Sequence, residues 1–150
     1  MDLSTGTAKR MKQTNIASKP RKGNHMHFYI PGSIAGIILF QTAIIAPVMF
    51  KNLDIKDFGR VIRLVWPKFF LIIAFLGALS LASTYNESGS QYQMIIAGFT
   101  FIMSTICYLI IPATNEASDT GNQKKFDLLH KVSVYSTVLM LIGNIAYLFV

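Results

Sequence analysis

The sequence predicts an all-α fold: an integral membrane, up-down four-helix bundle with both termini on the same side of the bilayer. Three observations carry this expectation. The chain of 150 residues is 52% hydrophobic and only 14% charged, with a mean hydropathy of +0.44, which is unlike a soluble domain. Its apolar residues are gathered into four blocks, about 28–50, 66–85, 92–111 and 128–150. Each block is close to the roughly 20 residues a helix needs to cross about 30 Å of hydrocarbon. An even number of spans returns the chain to the side on which it began. Four spans fill more than half of the chain and leave no room for a separate soluble catalytic domain, so no enzyme activity and no cofactor are expected. The single Cys107 excludes an internal disulfide and any cysteine-rich metal or iron–sulfur site, and it reads as a small hydrophobe within the third span.

Residues 1–27 precede the first span as a basic tail. Lys9, Arg10, Lys12, Lys19, Arg21 and Lys22 lie among Ser, Thr, Gly and Asn, with Asp2 as the one acid, so disorder is expected. No aromatic residues are interleaved for base stacking, which argues for anionic lipid headgroups as the partner and against nucleic acid. A start at Met26 is the alternative, with residues 1–25 not native to the protein. With the tail counted, six Lys and Arg on the terminal side oppose eight on the loop side: Lys51, Lys56, Arg60, Arg63, Lys68, Lys124, Lys125 and Lys131. Starting from Met26, the count becomes eight against none and the loop side must be cytoplasmic. The expected location is a bacterial inner (plasma) membrane, crossed several times.

Span one opens with Pro31, tolerated in a first turn where its missing N–H has no partner to lose. Gly32 and Gly36 follow at a spacing that lets helix backbones approach closely. Gln41 and Thr42 fall near mid-membrane, where an amide needs a partner, so Gln41 is expected to face other helices. Pro47 is expected to bend or end the helix. Span two carries Ala74, Gly77, Ala78 and Ala82 for close packing, and residues 86–91 form a short polar turn that makes spans two and three antiparallel neighbours. Thr100, Ser104 and Thr105 on span three can bond back to their own helix. In span four, His130, Ser133, Thr137, Met140 and Asn144 recur at steps of three and four, so they share one face. Val134, Leu139, Ile142 and Phe149 flank that face. The stripe fits interhelical hydrogen bonding, and it also fits a polar path or a ligand-facing wall.

Four stretches, GIILFQTAIIAPVMFKNL, FGRVIRLVWPKFF, YLIIPATN and FDLLHKVS, resemble in their order and spacing a family of small four-helix membrane proteins of unknown function (domain of unknown function 4149), which includes transmembrane protein 205. The resemblance covers about residues 32–137, and it implies four spans and a membrane location without an activity to carry over. Where the family pattern leads us to expect asparagine, four residues after Ser133, this chain has Thr137.

Pro47, Pro67, Pro112 and His130 stand at the end of span one, the start of span two, the end of span three and the start of span four. They therefore gather at one membrane face, together with Asn115, Arg60 and Arg63. The candidate binding site at this loop-side end is His130, Ser133, Asn115, Arg60 and Arg63. In it the two arginines hold an anion or a lipid headgroup, and the long connection between spans three and four folds back over it. Orientation and loop tethering are the plainer roles for the same residues. Gln41, Thr137 and Asn144 are the intramembrane polar groups.

The expected function is a non-catalytic accessory or scaffold subunit of a membrane assembly, working as a homo-oligomer or with a membrane partner. A small oligomeric transport or permeation component is the alternative, and a haem or metal redox protein is the third. His27 and His130 fall at opposite ends of the bundle, as do His25 and His130, which argues against bis-histidine haem ligation between spans and against a metal site.

Overall fold

The computed structural model describes residues 26–150. The basic tail, with His25 and the question of Met26 as the start, lies outside the described residues. The first span is α1 (Met26–Leu39), a π-helical turn (Phe40–Ile45) and α2 (Ala46–Asn52). It is followed by α3 (Ile55–Asn86), α4 (Gln91–Asp119) and α5 (Gln123–Ala146), which closes with a 3-10 turn (Tyr147–Phe149). Four helical stretches, His27–Asn52, Ile55–Asn86, Gln91–Asp119 and Gln123–Phe149, are long and apolar enough to cross a membrane.

The helices outrun the apolar blocks. α3 begins eleven residues before Trp66, with Asp54 as its cap accepting from Asp57 N. α4 continues through Pro112 to Asp119, although that proline cannot donate to the carbonyl one turn back. The expected long connection between spans three and four therefore does not fold over the bundle end. It is helix almost throughout and closes with a short turn, where Gly121 takes φ +68° and Asn122 caps α5 by accepting from Lys125 N. Pro47 does not end span one either. The chain widens before it, with Ala46 N bonding to Gln41 O, and the extra backbone room of a π turn accommodates a ring that would clash in a regular helix.

The packing runs opposite to that of a water-soluble bundle. Ser80, Thr84, Gln93, Thr100, Ser104 and Asn144 are buried between helices, while Leu71, Phe75, Ile102, Leu109, Leu139 and Ile142 point outward. Such a surface is stable when lipid is the solvent. A small apolar core of Ile34, Ile38, Phe69, Phe70, Ile73, Cys107, Ile111 and Met140 joins all four spans. α3 lies along α4, α4 along α5, and α1 packs on both α3 and α5. Gly77 permits a close approach of α3 to α4, since a Cβ there would stand 2.9 Å from Phe101 N. Gly32 and Gly36 serve no such contact, because a Cβ on either meets nothing within 4 Å. The expected close packing at that pair is absent among the described residues.

At one end of the molecule, His27 Nδ1 donates to Glu87 Oε2, Tyr147 and Thr84 share a hydrogen bond of 2.6 Å, and Gln93 Nε2 donates to Val150 O. The α4–α5 turn lies at the other end. Seventeen residues of α5 and its closing turn, roughly 25 Å of helix, separate Tyr147 from His130, so His27 and His130 sit at opposite ends.

Candidate functional site: a cavity beside His130

Beyond the π turn, span one loosens its hold on the bundle. α1 packs on both α3 and α5, whereas α2 keeps only a slight contact with α3. The gap is a cavity of about 330 Å3 lined by Ala46 of α2, Phe58, Ile62, Arg63 and Trp66 of α3, Ile111, Thr114 and Asn115 of α4, and Phe126, His130 and Ser133 of α5. A second space of about 300 Å3 adjoins it and shares Ala46, Trp66 and His130, with Gln41, Thr42 and Thr137 among its other walls.

His130 stands where the two spaces meet. The Phe126 ring, one turn earlier on α5, lies 5.6 Å from its imidazole with the planes only 4° apart. Trp66 of α3 approaches at 6.1 Å and 28°, and Phe70 meets that indole edge-on at 5.7 Å. A row of aromatic faces thus borders a mostly apolar cavity whose polar groups are few, the pattern expected of small-molecule sites. Trp66 and Phe126 were not among the residues expected at the site. Their signals in the sequence are that Phe126 precedes His130 by four, one helical turn, that the single tryptophan stands on the loop side of span two, and that both lie within the motif stretches FDLLHKVS and FGRVIRLVWPKFF.

Four of the five expected binding residues, His130, Ser133, Asn115 and Arg63, line this cavity. Arg60 does not. It faces an outer groove with Lys56, Gly59, Arg63 and Asp119. Both arginines face carboxylates: Arg63 grips Asp119 with both guanidinium nitrogens, at 3.0 and 2.5 Å, and Arg60 stands 3.6 Å from Asp57 in an exposed pair. The Arg63–Asp119 fork joins α3 to the end of α4 and forms part of the cavity rim.

The intramembrane polar groups divide. Asn144 lies in the other half of α5, bonded to Thr100. Thr137 donates to Ser133 O and Ser133 to Leu129 O, so the stripe bonds to itself and its neighbours. Gln41 borders the second space, and its Nε2 is buried without a hydrogen-bond partner. Among the described residues, no three His, Cys, Asp or Glu side chains gather in a way that could hold a metal ion.

Residues 30–150 match a family described as a domain of unknown function (DUF4149). The chain belongs to this family. Comparisons with curated proteins and with solved structures found no match. The DUF4149 match spans every residue of the cavity and, apart from residues 27–29 of the first, the four apolar helices.

Proposed function

We propose that this DUF4149 protein is an up-down four-helix bundle of a bacterial-type inner membrane, with both termini on one side, and that it is a non-catalytic accessory subunit. It contributes to its assembly by holding a small lipid-soluble ligand beside His130. The observation that carries the reading is the stacking of His130 with Phe126 and Trp66 at the junction of two apolar spaces. Flat aromatic walls with a few hydrogen-bonding groups suit a flat, neutral molecule bearing polar oxygens. The imidazole of His130 and the amide of Asn115 are the groups to orient it. The ligand arrives from the bilayer through the gap beside α2.

Transport has less support, because Ser133, Thr137 and Asn144 already have hydrogen-bond partners and leave no chain of free polar groups along α5. For orientation, the eight Lys and Arg of residues 26–150 all lie toward the α4–α5 turn, which favours a cytoplasmic position for that end. Reporter fusions at residue 88 and at the C-terminus are expected to report one compartment and a fusion at residue 56 the other. Opposite locations for the first two reject the bundle.

The ligand reading is tested by extracting the full chain with its native lipids into polymer-bounded discs and identifying the small molecules retained. Ala46 borders both spaces, so Ala46→Phe fills them from the loosely held α2 side. A compound kept by the wild type and lost from an equally abundant variant supports the reading. Identical retention by the two proteins overturns it.

A further inference from the structure

A second feature, on the outer side of the π turn, shares Gln41 and Phe69 with the space beside His130 but takes a different occupant. α1 and α3 border a groove of about 660 Å3, with Ser33, Gly36 and Gln41 on one wall and Lys68, Phe69 and Ile72 on the other. It runs from Ser33 to Gln41, eight residues or roughly 12 Å along the helix. Because α1 and α3 run in opposite directions, its two ends differ in chemistry. Gln41 and Lys68 lie nearer the loop side than Gly36, Ile37 and Ile72 do.

The polar end has donors and lacks acceptors. Lys68 is exposed and forms no ion pair among the described residues, although it is the one charge in the second apolar block. Gln41 lines the groove, and its buried Nε2 has no acceptor. Such a donor is costly to leave unpaired at membrane depth. The apolar end is open, because a Cβ on Gly36 would meet nothing within 4 Å.

We propose that this groove binds one anionic phospholipid, its phosphate held by Lys68 and Gln41 and an acyl chain laid over Gly36 between Ile37 and Ile72. A lysine close to the start of a span can extend its ammonium toward the headgroup layer. An acidic headgroup supplies both the charge that Lys68 lacks and an acceptor for the Gln41 amide. An acyl chain matches the open apolar floor. Arg60 and Arg63 are not needed for this site, since each already faces a carboxylate.

The test uses the full chain in mild detergent, titrated with phosphatidylglycerol, phosphatidylcholine or water-soluble glycerol phosphate and read by native mass spectrometry. The wild type is expected to retain one phosphatidylglycerol, with about a fivefold preference over phosphatidylcholine from a single cation near the headgroup. Lys68→Gln removes the preference. Gly36→Phe removes both lipids by filling the groove, whereas Lys131→Gln leaves retention unchanged. Undiminished preference in Lys68→Gln overturns the proposal, and because that position is exposed the result does not hinge on folding. Glycerol phosphate competing as well as the lipid indicates a soluble-anion site and overturns it. A wild-type dimer that Gly36→Phe splits assigns the groove to a second copy of the chain, and this also overturns it.

Discussion

Asn144 on α5 donates from Nδ2 to Thr100 Oγ1 on α4 at 2.8 Å, and the same nitrogen donates to Met140 O at 2.8 Å. Both side chains are buried, and the Thr100 hydroxyl donates to Ile96 O. Every N–H of the amide is therefore used, and the bond joins two helices where no water competes. Interhelical bonds of this kind average about 0.6 kcal/mol in membranes and reach about 1.7 kcal/mol. Asn144→Ala and Thr100→Val are each expected to destabilise the bundle, with a coupling of about 0.6 kcal/mol between them in a double-mutant cycle. Unfolding in mixed micelles of rising denaturing-detergent fraction measures it, and purely additive effects would remove the bond from the account.

The glycines are expected to separate into two groups. Gly77→Ala places a methyl 2.9 Å from Phe101 N and 3.0 Å from its Cα. These are backbone atoms, so α3 and α4 must move apart, at a cost of about 1–3 kcal/mol. Gly32→Ala meets open space and is expected to be neutral or to stabilise by up to about 1 kcal/mol through helix propensity. The same unfolding assay decides this, and equal losses at both positions would contradict the packing described.

The contrast shows what the sequence could and could not convey. Hydropathy reports the thickness of the hydrocarbon, so it located the four spans but not the helical extensions of α3 and α4 beyond them. A glycine spacing states that close approach is possible and does not name the partner, which is why Gly77 is in contact and Gly32 is open. The period of three and four placed Ser133, Thr137, Met140 and Asn144 on one buried face, because a helix face is a local property. Proline was a poorer guide. Pro112 stays within α4, and Pro47 is accommodated by a π turn that single-residue propensities do not encode. The partners of His130 divide along the same line: Phe126 is one turn away in sequence, but Trp66 meets it only through the tertiary arrangement.

At the opposite end, the His27 hydrogen bond holds the Glu87 carboxyl below its ordinary range. A carboxyl whose pKa is lowered by folding adds stability above its unfolded-state value, and that contribution disappears as pH falls through the lowered folded value. Wild type and Glu87→Gln are therefore expected to differ in thermal midpoint at pH 7 and to converge well below pH 4.5, the carboxyl's ordinary value. A gap that persists unchanged at acid pH would show that the His27–Glu87 contact does not depend on the carboxylate.

Arg63 and Asp119 are partly exposed, so their fork is expected to contribute little to overall stability. Geometry matters more than charge here, since lysine cannot reproduce the two-pronged contact. Arg63→Lys is expected to loosen the cavity rim while Arg60→Lys stays silent. Exchanging the pair, Arg63→Asp with Asp119→Arg, restores the link. Accessibility of a cysteine placed at Thr114 to a soluble maleimide reads the rim, and equal labelling of Arg60→Lys and Arg63→Lys would dissociate the fork from the cavity.

The central claim, that a small ligand sits against Trp66 and His130, is most directly tested by fluorescence, because Trp66 is the single tryptophan of the chain. The purified protein in lipid discs is titrated with 1,4-naphthoquinone, a flat aromatic bearing two carbonyl acceptors. The account predicts saturable quenching of Trp66 in the wild type and only linear, collisional quenching in Ala46→Phe. Linear quenching in both proteins, with the same slope, would contradict it.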